Sequence, residues 1–250
     1  MKVLSVVGLS GRGKTTVIEN LIKELIKRKY SVGTVKEIHY ENFQIDTPGK
    51  NTFRHRMAGA DTVVARAENE TDILYKGKIN IYDILSHFTE DIVIMEGVRD
   101  AVTPQIAVCG EEEEPEITPL TVAISGKFSN KNIDKYKDIP VVNCMDNIKE
   151  LADTVENLPH LFYDFDKDCC GVCGYSCKGF LAEVLKGRQE ISKCVLNNSL
   201  VELKINNREI PMAPFVRNIL KNTVMGVVKE LKGYKKNAKI EIKIDDYESY

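Results

Sequence analysis

Eight residues near the start of the chain have the types and spacing of an anion cradle: Gly8-Leu9-Ser10-Gly11-Arg12-Gly13-Lys14-Thr15, in the pattern G-x-x-x-x-G-K-[ST]. Backbone N–H groups of residues 10–15 can surround phosphate oxygens. A helix starting inside the loop adds the partial positive charge of its N-terminus. Lys14 would bridge the outer phosphates and Thr15 would hold a magnesium ion. Gly8, Ser10, Gly11, Arg12, Gly13 and Thr16 complete the cradle. A second group with chemistry lies far downstream. Cys170-x2-Cys173-x3-Cys177-x16-Cys194 supplies four thiolates, enough for one [4Fe–4S] cluster or one zinc ion. Three ligands on short loops and a fourth after a helical segment suit the cubane cluster. Zinc more usually shows two Cys-x2-Cys knuckles, and only one is present. Cys169 is adjacent and could substitute for Cys170.

The elements that must position these groups follow from periodicity. An apolar strand over residues 3–7 leads into the loop. The amphipathic helix after it, residues 15–28, carries Ile18, Leu21, Ile22, Leu25 and Ile26 on one stripe. Further strands are expected at 31–35, 62–66, 92–95, 121–124 and 141–143, with helices at 51–60, 79–87 and 147–156. This alternation predicts an α/β phosphate-loop NTPase fold, with a mostly parallel sheet and helices on both faces. Ligands of such sheets sit at the carboxyl ends of strands. Asp91 opens one strand and Glu96 closes it, roughly 16 Å away. Glu96 is therefore the candidate beside the magnesium, and Asp91 an edge residue. Lys36 and His39, just past the second strand, should face the ligand edge. Asp46, Pro48, Gly49 and Lys50 follow, then Arg54 and Arg56 on a helix. Two arginines two apart do not share a helix face, so at most one points into a given pocket. A basic cluster beside phosphates suggests a second anionic ligand.

From about residue 158 the texture changes, giving three expected units: a nucleotide-binding domain (1–157), a four-cysteine module (158–196) and a small α+β unit (197–250). The module's helix, within 178–193, has Phe180, Leu181, Val184 and Leu185 as an apolar face that could shield a cluster. The tail reads β-β-α-β, with a hairpin around Asn206-Asn207-Arg208, a helix over 216–231 and a last strand alternating at Ile240, Ile242 and Ile244. The acidic run 111–114 reads as a solvated loop. Composition sets the outer limits. In 250 residues, 35 basic side chains meet 37 acidic ones, which argues against a general nucleic-acid binder. No apolar run reaches the ~18–20 residues of a membrane span. Met1-Lys2-Val3-Leu4 enters a strand without a cleavage site, so the expected location is cytoplasmic. Clustered cysteines in that compartment bind metal more often than they form disulfides. Cys109 and Cys144 read as core or strand-end residues.

Over about residues 1–155 the chain resembles the molybdopterin-guanine dinucleotide biosynthesis protein B family. The resemblance rests on the phosphate loop through Thr16, on Val35-Lys36, on Asp46-Thr47-Pro48-Gly49-Lys50-Asn51, on Arg54-His55-Arg56-Met57-Ala58-Gly59-Ala60, and on Ile92-Val93-Ile94-Met95-Glu96-Gly97. It implies a dimeric GTP-binding protein with weak hydrolysis that assists the guanylyltransferase attaching GMP to molybdopterin. It also implies phosphate and magnesium binding by Gly13, Lys14 and Thr15, magnesium support from Glu96, and a pocket lined by Lys36, Lys50 and Arg54. Glu37 stands where the family often has a histidine, and Asn51 where an aspartate is common. Asn143-Cys144-Met145-Asp146 lies near the place of a guanine-reading motif but lacks its lysine. The cysteine segment resembles the small iron–sulfur domain of corrinoid iron–sulfur proteins, with three rather than four residues between the second and third cysteines. The expected protein is a GTP-binding accessory factor of molybdenum or tungsten cofactor maturation with a fused cluster, serving a guanylyltransferase and a molybdenum or tungsten apoenzyme. The same residues also admit a maturation NTPase whose nucleotide hydrolysis gates metal insertion or electron transfer. A third reading is a non-catalytic adapter with a structural zinc or cluster.

Overall fold

The computed structural model describes residues 1–40, 43–160, 173–194, 201, 203–205, 208–209, 214–235, 240–242 and 244. Its centre is a five-stranded parallel sheet of β1 (Lys2–Val7), β2 (Val32–Lys36), β5 (Ile92–Glu96), β6 (Gln105–Cys109) and β7 (Thr121–Gly126), in the order β2-β5-β1-β6-β7. Between β2 and β5 lie α2 (Asn51–Met57), β3 (Thr62–Arg66), β4 (Thr71–Tyr75) and α3 (Ile81–Leu85). Helix α1 (Lys14–Lys27) follows β1, and α4 (Ile148–Glu156) follows a short hairpin of β8 (Lys135–Tyr136) and β9 (Ile139–Pro140).

Strands covered on both faces need apolar residues at every position rather than an alternation. All five residues of β6 are buried, as are the last five of β1 and the first four of β5. On one face, Leu4, Val6, Ile92, Ile94, Ile106 and Val108 pack against Val17, Ile18, Leu21 and Leu25 of α1 and Leu151 and Val155 of α4. On the other, Val3, Val93 and Met95 meet Ile81 and Leu85 of α3. The buried stripe of α1 is narrower than its sequence suggests, since Ile26 is exposed and Glu24 is buried. Arg28 explains Glu24. Its Nε bonds Glu24 at 3.1 Å, Nη1 bonds Asp153 at 2.6 Å and Glu156 at 2.8 Å, and Nη2 donates to Lys149 O at 3.0 Å. One guanidinium thus ties the end of α1 to α4.

Two expectations are corrected here. The strand at 62–66 does not join the parallel sheet. It pairs antiparallel with β4 in a separate hairpin, Val64 opposite Ile73. The strand expected at 141–143 is only an isolated parallel bridge, Ile124 opposite Val141, and β6, on the side of β1 away from β5, is a strand that periodicity did not single out.

The cysteine segment contributes α5 (Cys177–Leu185), capped by the Ser176 hydroxyl, which accepts from Gly179 N, and a 3-10 turn (Ile191–Lys193). Leu181 and Ala182 of α5 pack on Leu120, at the amino end of β7, with Val102 and Leu185 alongside. In the tail, β10 (Lys204–Ile205) and β11 (Arg208–Glu209) form an antiparallel pair, and α6 spans Pro214–Val228. The alternating isoleucines near the end form no strand in the described residues; Ile242 and Ile244 are exposed. No helix among the described residues is long and apolar enough to cross a membrane.

Candidate nucleotide-binding site

The glycine-rich loop of residues 8–13 lies at the carboxyl edge of the sheet, between β1 and α1. Gly8 turns the chain at φ +149°, and a Cβ there would lie 1.9 Å from Val108 O of β6. No side chain fits against that carbonyl, so the loop rests directly on the neighbouring strand. Gly13, at φ +98°, caps α1, and its carbonyl accepts from Val17 N at 3.0 Å. Lys14 Nζ folds back over the loop and donates to Gly8 O at 3.0 Å and Leu9 O at 2.8 Å. Its charge is thereby held at the mouth of the cradle.

Glu96 closes β5 one strand away. Thr15 Oγ1 donates to its two carboxylate oxygens at 3.4 and 3.5 Å, and Lys36 Nζ lies 3.4 Å from Oε1. Register explains this meeting: Val6 pairs with Glu96 on one side of β5, and Lys36 pairs with it on the other. Asp91 sits at the opposite end of the same strand, as expected for an edge residue. It accepts from Ser31 N at 2.9 Å and Ser31 Oγ at 2.7 Å, and these bonds hold its carboxyl below the usual carboxylate range.

The other expected pocket residues are placed differently. Among the described residues, no hydrogen bond or ion pair joins the side chains of His39, Lys50 or Arg54 to the Lys14–Thr15–Glu96 group. Asp46 instead organises its own segment: Oδ1 accepts from Thr47 N at 3.0 Å and Thr52 Oγ1 at 2.8 Å, and Oδ2 lies 3.8 Å from Arg56 Nη1. Of the two arginines, Arg56 is thus engaged with Asp46 while Arg54 stays exposed. Arg56 also lines a pocket of about 150 Å³ with Gln44, Phe53, Met57, Ala60 and Lys76. Glu37, at the position where a histidine was of interest, pairs with Lys78 at 2.6 Å.

Sequence reasoning missed Glu113. The acidic run is not wholly solvated. Glu113 forms an ion pair with Arg12 of the loop, and its Oε2 accepts from Gly110 N at 2.7 Å. The Gly110 N–H, then Arg12, lower its pKa. Glu114 pairs with Lys137 at 2.9 Å and accepts from Tyr136 Oη at 2.8 Å. Gly126 was missed as well. A Cβ there would meet Val108 Cγ1 at 2.7 Å and Arg12 O at 2.9 Å. The signal for both was the overlooked apolar run Gln105-Ile106-Ala107-Val108-Cys109, which places this loop beside the cradle.

The oxygens of Thr15 and Glu96 are the donors a magnesium ion prefers. The buried Arg12 Nε and Asp46 Oδ2 lack hydrogen-bond partners. The cysteines divide differently. Cys194 is buried against Phe180, with Cys173, Val184 and Ile191 packed around them, and Cys177 opens α5. Cys169 and Cys170 lie outside the described residues. Within the described residues, no three His, Cys, Asp or Glu side chains converge as a metal-binding group. The module adjoins Leu120, about 20 Å along β7 from the cradle edge at Gly126.

Comparison with known proteins agrees with this geometry. Residues 3–125 match the family described as molybdopterin guanine dinucleotide synthesis protein B. A Methanocaldococcus jannaschii protein, provisionally named a molybdopterin-guanine dinucleotide biosynthesis adapter protein, is 27% identical over 252 residues and covers 98% of each chain. The adapter protein of that name from Haemophilus influenzae is 29% identical over 168 residues, 64% of this chain and 90% of its own. The crystal structure of Bacillus subtilis MobB superposes with a TM-score of 0.53 at 20% identity, over 63% of this chain and 99% of that one, and so shares the fold. Over residues 3–125, just under half of its length, the chain is thus similar to the molybdopterin guanine dinucleotide synthesis protein B family.

Proposed function

We propose that this protein is a GTP-binding adapter in molybdopterin guanine dinucleotide biosynthesis. The observation that carries the nucleotide part is the juxtaposition of Lys14, Thr15 and Glu96 at one end of the sheet. Lys14 exchanges the carbonyls of Gly8 and Leu9 for phosphate oxygens when nucleotide arrives. Residues 10–16 offer their N–H groups to the phosphates. Thr15 and Glu96 hold magnesium, which when bound neutralises charge between the phosphates. Lys36 balances Glu96. The adapter role rests on the relatives' names, and the choice of GTP on the resemblance to the family.

The partner in this reading is a molybdopterin guanylyltransferase, followed by a molybdenum or tungsten apoenzyme. A homodimer is supported by the β3–β4 hairpin, which stands outside the main sheet and exposes Val64 and Ile73 opposite each other. Lys50 and Arg54 remain exposed cations for a second anionic ligand. The test is GMP transfer to molybdopterin by a guanylyltransferase, with and without this chain and GTP. Faster transfer with the chain supports the reading, and an unchanged rate overturns it.

For the cysteine module, the reading is a [4Fe–4S] cluster on Cys170, Cys173, Cys177 and Cys194. Its support is the spacing in the sequence and the packing of Cys173 and Cys194 around Phe180. Helix α5 of this segment docks at the amino end of β7, the end away from the cradle. Anaerobically purified protein should be brown, absorbing near roughly 400 nm, with iron and sulfide. Stoichiometric zinc without iron would refute the cluster.

A further inference from the structure

We propose that Glu113, on the loop between β6 and β7, is a positioning residue of the phosphate loop: it holds Arg12 and so keeps the cradle shaped before nucleotide binds. This rests on the nucleotide reading above for its ligand, though not for the clamp itself. The phosphate loop is glycine-rich, and three of its residues, Gly8, Gly11 and Gly13, have positive φ. Such a segment has many alternative conformations to lose on binding. Its start is fixed by the seat of Gly8 on Val108 O, and its end by the first turn of α1. The outer bend at residues 9–12 needs a third support.

Glu113 supplies that support from the far side. Its carboxylate takes the Gly110 N–H with one oxygen and the Arg12 guanidinium with the other. The Gly110 bond closes a tight loop directly after β6, because Glu113 N also donates to Gly110 O at 3.3 Å. The acid is therefore anchored to the sheet, and the arginine is anchored to the acid. Gly126 brings the end of β7 against Arg12 O, so the arginine is held at its backbone and at its guanidinium. Arg12 Nε is itself buried, which leaves the guanidinium's contact with Glu113 as its ion pair.

The test uses the full chain with Glu113→Ala, Arg12→Ala and the double variant. Hydrogen exchange of the peptide covering residues 8–14 is measured without nucleotide, and magnesium GTP is then titrated. Each single variant should exchange faster and bind more weakly, on the order of five-fold, the scale of a half-exposed charge-assisted pair. The double variant should be no worse than the worse single one. Raising salt should loosen the parent loop but leave a Glu113→Gln loop unchanged, which a purely steric role would not produce. Unchanged exchange in the single variants overturns the assignment, as do additive losses. Where the parent binds nucleotide, unchanged affinity in the single variants also overturns it. A parent that binds no nucleotide refutes the nucleotide reading alone, since exchange in the ligand-free chain still decides the clamp.

Discussion

The seat of the phosphate loop on β6 makes Gly8→Ala the sharpest structural perturbation available. The new methyl carbon would lie 1.9 Å from Val108 O and 3.0 Å from Val108 C, both backbone atoms of a buried central strand. No rotamer change relieves such an overlap, so loop and strand must separate. Overpacking costs about 1–3 kcal/mol, and the unfavourable φ of +149° adds about 1–3 kcal/mol. The sum, about 2–6 kcal/mol, is a large part of the ~5–15 kcal/mol that stabilises an ordinary domain. Gly11→Ala is the control. Its φ is +73° and nothing lies within 4 Å, so it should cost only the backbone part, about 1–2 kcal/mol. Urea unfolding of the two variants, with magnesium GTP titrations on the folded proteins, measures the difference. Gly8→Ala should unfold at clearly lower urea and bind nucleotide poorly. If both variants unfold at the same midpoint, the loop does not rest on Val108 and the steric reasoning is wrong.

Other outcomes follow from single contacts. Arg28→Ala removes the tie between α1 and α4 and leaves Glu24 buried without its partner; thermal unfolding should show a loss of about 1–2 kcal/mol. Asp91 has a lowered pKa in the folded chain, so its contribution is present above the ordinary carboxylate range and is lost as pH falls through the folded value. The Asp91→Asn variant should therefore unfold with a shallower acid limb than the parent, seen in urea midpoints across acidic pH. Glu96→Gln should keep the fold and weaken the magnesium dependence of nucleotide binding, measured by titration with and without the ion.

The parts of the fold legible in the sequence were those where one physical signal dominates. The apolar run of β5 and its terminal acid identified both the strand and its ligand end, because both faces of the strand are buried and the sheet is parallel. The glycines of the loop and the stripe of α1 were equally direct. Less was legible where pairing is decided at long range. Nothing local in Thr62–Arg66 tells a parallel partner from the antiparallel one it finds at Thr71–Tyr75. The acidic run 111–114 looked solvated because Arg12, which pairs with Glu113, lies about a hundred residues away in sequence. Lys36, expected just past the second strand, is the last residue of β2, and strand register sets it beside Glu96. Arg56 was left open by helix spacing, and a contact to Asp46 decides its direction. The hairpin that exposes Val64 and Ile73 was only half visible as one strand of an alternation.

The central claim is that the loop at residues 8–15 binds a nucleoside triphosphate through Lys14. Equilibrium titration of magnesium GTP and magnesium ATP against the parent chain and Lys14→Ala tests it most directly. The parent should bind saturably, more tightly for GTP, and the variant should lose at least ten-fold, about 1.4 kcal/mol or more. Equal binding by parent and variant, or none by the parent, would contradict it.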